Sequence, residues 1–135
     1  MRTVRQVAVA VARVVGLSDE VIDEVRLAVG EASTRAVSAH IGRGVSDLVA
    51  VEFAADSADF VVFVRDEAES GSLVAEWDRQ GTDTDTIESF AEDLARDAAA
   101  VELAVVARLV PDLQVSSTPS GGTQVRMSWP IQELI

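Results

Sequence analysis

Glu31 and Arg35 stand four residues apart in the stretch EVRLAVGEASTRAVSAH, which runs from Glu24 to His40. Between them lie two hydroxyls, Ser33 and Thr34, and the chain's single histidine, His40, closes the stretch. Wound as a helix, this segment puts Val25, Ala28, Val29, Ala32 and Ala36 on one apolar stripe. Glu31 and Arg35 then flank the stripe one turn apart. Alanine at 28, 32 and 36 lets a second layer pack close. An acid, hydroxyls and a cation beside a core-facing stripe can form one wall of a polar site. The same pattern has a simpler reading, a buried helix with a solvated edge and one Glu31–Arg35 ion pair. Pattern alone prefers the simpler reading.

Other elements must position that helix. Val4 to Val15 reads as an earlier helix, with Val4, Ala8, Val11 and Val15 close to one face and Gly16 as its stop. Ser18 is an N-cap for the next helix, and Asp19 and Glu20 favour its first turn through the helix dipole. That second helix runs to about His40, ended by Ile41-Gly-Arg-Gly44. Asp47 to Ala54 and Asp59 to Arg65 are Val- and Phe-rich strands, and the turn Asp56-Ser57-Ala58-Asp59 between them implies an antiparallel hairpin. Ile87 to Ala98 can hold a short helix through Ile87, Phe90, Ala91 and Leu94. Ala99 to Val110 is an apolar helix stopped by Pro111. Leu113 to Ser117 and Thr123 to Trp129 are closing strands around the turn Thr118-Pro-Ser-Gly-Gly122. The order predicts a two-layer α/β (α+β) sandwich, one mainly antiparallel sheet with helices on one face.

Charge is unevenly placed. The 135 residues carry a net charge of −12, with 48% hydrophobic content and a mean hydropathy of +0.22. The length and apolar content suit one globular domain over 1–135. Segment 66–97 alone holds 11 acids against Arg79 and Arg96, a net −9, and reads as a solvated loop. A field of that sign repels phosphate backbones and anionic lipid, which argues against nucleic-acid and membrane-surface roles. A basic protein partner is compatible with it. No apolar run is long enough to span a bilayer. The N-terminal MRTVRQVAVAVARVVGL imitates a secretory leader, but Arg13 interrupts the run and a folded helix is the better reading. With no Cys and one His, disulfides, thiolate zinc sites and histidine-based metal centres are not expected, and the default setting is cytoplasmic. The chain also contains no Lys and no Asn.

From the second helix onward, the chain resembles the GHKL (Bergerat-fold) ATPase superfamily of gyrase, histidine kinases and mismatch-repair ATPases. Within it, the chain specifically resembles the bacterial anti-sigma-factor serine-kinase branch. That branch carries a helix motif E-A-x-T-N-A with a His a few residues on; here it reads Glu31-Ala-Ser-Thr-Arg-Ala36, then His40. A hairpin ending in Asp-x-Gly-x-Gly follows, here Asp66-Glu-Ala-Glu-Ser70. After a variable, lid-like segment (about 66–97) comes a Gly-rich helix start, here Ala99-Ala-Val-Glu-Leu103. Last is G-G-T-x-V-x-(apolar), here Gly121-Gly-Thr-Gln-Val-Arg-Met127. The order and spacing cover most of the chain from Val4. The family usually opens with a strand, whereas this chain begins almost directly on a helix; its start is trimmed or its sheet is one strand smaller.

The resemblance implies ATP and Mg²⁺ as cofactors, and the departures bear on both. The family's Asn ligand to Mg²⁺ is here Arg35. Magnesium takes oxygen ligands, and a guanidinium has donors only. Arg35 can contact a phosphate but cannot replace that ligand. Asp66 matches the Asp that hydrogen-bonds the adenine amino group, while its box glycines are Ala68 and Ser70. The third box has Ala100 and Glu102 where glycines let backbone approach phosphates, and a carboxylate there repels a triphosphate. Glu31, which in the family positions or activates the catalytic hydroxyl or water, is kept. Gly121, Gly122 and Thr123 are kept as well.

The implied site is therefore Glu31 as the catalytic acid, with Arg35, Asp66, Gly121, Gly122 and Thr123 for nucleotide and no metal ligand. The favoured expectation is an anti-sigma-type regulator. It would hold a sigma factor, a STAS-domain anti-anti-sigma antagonist, or both, with ATP binding and kinase activity weak or absent. The alternative is an active ATP-dependent serine kinase that phosphorylates the antagonist. Relatives of this kind commonly dimerise. Arg2, Arg5 and Arg13 on the first helix are candidate polar rims for a partner. Trp77 and Trp129 are expected in core or edge packing, and His40 at a helix end.

Overall fold

A computed structural model describes residues 2–42, 44–46, 48–68, 98–110 and 112–131; of residues 98–103 the backbone alone is described. Helix α1 (Arg2–Val14) leads into helix α2 (Asp19–Gly42), then strands β1 (Ala50–Ala55) and β2 (Asp59–Asp66). Helix α3 (Ala98–Leu109) and strands β3 (Gln114–Ser117) and β4 (Thr123–Pro130) complete the order. Three of the predicted helices, the hairpin and the closing strands fall within a few residues of expectation. The first strand starts later than Asp47, at Ala50. The expected helix over 87–98 and the acidic stretch from residue 69 lie outside the described residues. So do Trp77 and Pro111.

Backbone chemistry sets the helix ends. Gly16 has φ 89°; its N–H donates to Arg13 O at 3.1 Å and that of Leu17 to Ala12 O at 3.1 Å. This is a Schellman stop, which needs a residue free to take a left-handed conformation. Gly44 (φ 66°) repeats it at the end of α2, with Val45 N–H on His40 O at 2.9 Å. Ser18 Oγ accepts the Val21 N–H at 3.3 Å, capping α2 as expected.

The sheet order is β1-β2-β4-β3, and all three pairings are antiparallel. Register decides which side chains face inward. Phe60, Val62, Val64 and Asp66 alternate onto one face of β2, opposite Trp129, Met127, Val125 and Thr123 of β4. Phe53, Val51 and Val115 extend that face. It packs on the α2 stripe of Val25, Ala28, Val29, Ala32 and Ala36, all fully buried. The Trp129 and Phe60 rings stack at 6.1 Å. Helix α1 contributes Ala8, Val9 and Ala12 as its buried residues, so its inward stripe is turned slightly from the expected Val4-Ala8-Val11-Val15 face. Val4, Val11 and Val15 pack at the margin.

The opposite sheet face is polar. Arg65 bonds Glu52 at 2.9 Å and Gln124 at 2.6 Å, and Arg126 approaches Asp112 at 3.7 Å. Exposed pairs of this kind contribute about 0–1 kcal/mol each, so the apolar face carries the layer contact. None of the described helices is long and apolar enough to cross a membrane.

The hairpin turn is held by one carboxylate. Asp56 Oδ1 accepts the N–H groups of Ala58 and Asp59, both at 2.7 Å. These donors, Asp59 first, hold the Asp56 carboxyl below the ordinary carboxylate value. A depressed folded value means the contribution is complete above the unfolded carboxyl's range and disappears as pH falls through the folded value. NMR titration of the Asp56 carboxyl should therefore give a midpoint below those of free carboxyls. Asp56→Ala should lower Tm at neutral pH, and the difference from wild type should close in acid.

Candidate functional site

The inward alternation of β2 ends on a charged residue. Asp66 occupies the position after Phe60, Val62 and Val64, so its carboxylate enters the core layer instead of solvent and is 1% exposed. On the facing helix, Arg35 lies beside the apolar stripe and is 2% exposed. Its NH2 donates to Asp66 Oδ2 in a buried ion pair. Asp66 Oδ1 accepts the Ala68 N–H at 3.1 Å. Both carboxylate oxygens are thus engaged by the chain itself.

Thr123 faces Asp66 directly across the β2–β4 ladder. The preceding Gly122 has no room for a side chain, because a Cβ there would overlap the Asp66 carbonyl and lie 2.9 Å from the Glu67 Cα. Gly121, at φ 90°, makes the turn that delivers it, and its N–H donates to Thr118 O at 2.9 Å. Glu67 ties the turn down from the other side through its carboxylate, which accepts the Ser120 hydroxyl. Thr118 Oγ1 accepts the Gly122 N–H at 2.9 Å.

Arg35, Asp66, Gly122 and Thr123 therefore converge from three segments distant in sequence. Gly121 supports the turn. Glu31 is half-buried one turn before Arg35 and makes no ion pair among the described residues. The expected Glu31–Arg35 pair is replaced by Arg35–Asp66, because a buried guanidinium gains more from a fully desolvated carboxylate than from one at the helix margin. Positions 69, 70 and the side chains of Ala100 and Glu102 lie outside the described residues.

His40 is at the helix end, as expected, but buried, and its Nε2 accepts the Glu67 N–H at 2.8 Å. An acceptor nitrogen carries no proton, so this bond uses the neutral ring. The imidazole fixes the backbone just past Asp66. This role was missed in the sequence, although His40 continues the 32-36-40 spacing of the buried stripe and that signal points inward. The Glu67–Ser120 link has no such signal.

Three buried polar atoms here or on the same helix have no partner among the described residues: Arg35 Nε, Thr123 Oγ1 and Ser33 Oγ. The Thr123 hydroxyl is the kind of free group a bound base or water satisfies. The rest of the donor set fits Mg-ATP poorly. The carboxylate that would take an adenine amino group already holds a guanidinium, and Arg35 has no lone pair for a metal. Among the described residues no cluster of His, Asp and Glu converges as a metal site.

The family model of the histidine kinase-like ATPase domain matches residues 1–129, and the chain belongs to that family. A search of curated proteins finds no match.

Removing one partner of a buried ion pair strands the other, at a cost of about 3–5 kcal/mol. Arg35→Met and Asp66→Leu should each lose about that much in urea unfolding, while the double substitution should recover most of it. Gly122→Ala should also be strongly destabilising, because its clash is with the Asp66 and Glu67 backbone, which cannot give way as a side chain can.

Proposed function

We propose that this chain is a protein-binding regulator of the anti-sigma type, holding a sigma factor or a STAS-domain antagonist, with weak or no use of ATP. The observation that carries this reading is the Arg35 guanidinium seated on Asp66. An adenine amino group and Arg35 would compete for one carboxylate. Displacing Arg35 breaks a buried pair, at about 3–5 kcal/mol, and each 1.4 kcal/mol is a factor of about ten in affinity. Nucleotide binding would therefore be weakened by roughly two to three orders of magnitude. Phosphoryl transfer adds a demand for metal and phosphate positioning, and Arg35 stands where the metal's oxygen ligand is needed. Holding a protein partner makes neither demand.

A second reading, an ATP-dependent serine kinase acting on the antagonist, draws on two other features. The Thr123 hydroxyl is buried without a partner opposite Asp66, and the Glu31 carboxylate is free of any ion pair among the described residues.

Calorimetric titration with Mg-ATP and Mg-ADP separates the two. The regulator reading expects no saturable heat for wild type. It also expects capture of a purified sigma factor or STAS-domain protein from the same genome, with affinity unchanged by nucleotide. Saturable binding that disappears in Asp66→Asn, with phosphate transferred to a serine of the antagonist, would establish the kinase instead.

A further inference from the structure

Away from Asp66, helices α1 and α2 border a groove of about 470 Å³ lined by Arg2, Arg5, Val9, Ala10, Arg13 and Arg26, with Gln6 beside them. Arg26 already shares the Asp23 carboxylate at 3.1 Å. Arg2, Arg5 and Arg13 make no ion pair or hydrogen bond among the described residues. In a chain of net charge −12, three unpaired guanidinium groups on one helix stripe are an unusual concentration of positive charge.

Arg5 is the informative one. It is half-buried, and its side chain lies on the backbone of α2 at Gly30. A Cβ at Gly30 would overlap Arg5 Nε and lie 3.0 Å from both Cζ and NH2. Glycine inside a helix costs about 1 kcal/mol relative to alanine. Here its absent side chain is the seat of a cation. A partly desolvated guanidinium with no acceptor among the described residues gains from an anion that reaches it.

The spacing indicates what kind of anion. Arg2, Arg5, Val9 and Arg13 follow steps of three and four residues, a single stripe about 17 Å long. A small anion would meet one or two of these groups. A helix with carboxylates at the same spacing would meet all three while laying apolar side chains on the exposed Ala10. A long nucleic acid would meet the repulsive field of the rest of the chain.

We propose that this groove docks an acidic amphipathic helix of a partner protein, with Arg5 as the central anion contact. The proposal rests on the reading of the chain as a protein-binding regulator and gives that partner its chemistry.

The probe is a labelled synthetic helical peptide of about four turns. Glu repeats at three- and four-residue steps beside a Leu/Ala stripe, and binding to the full chain is followed by fluorescence anisotropy. Saturable binding that weakens with salt is expected, and a Gln-for-Glu peptide should bind at least tenfold more weakly. Arg5→Gln and Arg13→Gln should each lose roughly tenfold. Gly30→Ala keeps every charge but displaces Arg5, and should lose a similar factor. Glu52→Gln, on the far sheet face, should bind as wild type. Circular dichroism confirms that each variant is folded.

No saturation, equal binding by Arg5→Gln and wild type, or unchanged binding by Gly30→Ala would overturn the proposal. So would tighter, Arg5-dependent binding of a single-stranded oligonucleotide or of phosphatidylglycerol vesicles. The two readings fail separately. Arg5-dependent peptide binding without capture of any sigma factor or STAS-domain protein leaves the groove and removes the anti-sigma assignment. Capture that Arg5→Gln and Arg13→Gln leave untouched does the reverse.

Discussion

Arg35 and Asp66 are both out of water, and each is tolerable only while it keeps the other. Each ion would cost several kcal/mol to bury alone, and their attraction in the low-dielectric layer offsets that only in a fixed geometry. The pair thereby constrains everything that sets its distance. Helix α2 must present Arg35 beside its alanine stripe, and β2 must keep the register that turns Asp66 inward. The Gly121-Gly122 turn must let the β4 backbone lie against the Asp66 carbonyl. His40 and Ser120 hold Glu67 on the two sides of that approach. A single ion pair thus joins the helical layer, the hairpin and the closing strand at one end of the sheet.

That arrangement makes Asp66 and Arg35 an internal joint. In a histidine kinase-like ATPase domain the inward Asp at the end of the hairpin is the position expected to meet a base. Here its acceptors are filled from within, by Arg35 and by the Ala68 N–H. The guanidinium supplies the donor that an adenine amino group would otherwise supply. Arg35 carries only donors, so the side chain that engages the Asp66 carboxylate offers no lone pair to a metal. The Thr123 hydroxyl, across the ladder from Asp66, has no partner among the described residues.

The fold was largely legible because its signals are local. Gly16, Ser18 and Gly44 mark helix ends through backbone geometry that few other residues adopt, and the Val/Phe alternation of β2 names its own buried face. The membership of Arg35, Asp66, Gly122 and Thr123 in one site was legible only through motif order, since nothing local to 31–36 announces residue 66. The partner of Arg35 was not legible. Helical spacing offers Glu31, four residues away, whereas Asp66 becomes available only after the strand register has placed it in the core. Spacing along one element says which side chains are neighbours; burial decides which neighbour a charge chooses. The same reason hid His40, whose phase on the stripe was visible but whose acceptor role depends on the backbone of another element.

The two ends of α2 then divide two uses of arginine. Near its C-terminal end, Arg35 is buried and paired with Asp66, although its Nε has no partner among the described residues, and its charge is used in holding layers together. Near its middle, Gly30 seats Arg5 from α1, half-exposed and unsatisfied among the described residues. A guanidinium whose charge is already paired in the core has little to offer a ligand, whereas one held in place without an anion among the described residues is preorganised for one. The chain has no lysine, so these fixed, planar donors are its principal means of binding anions. Within the described residues, recognition is therefore expected on the helical face and rigidity at the sheet end.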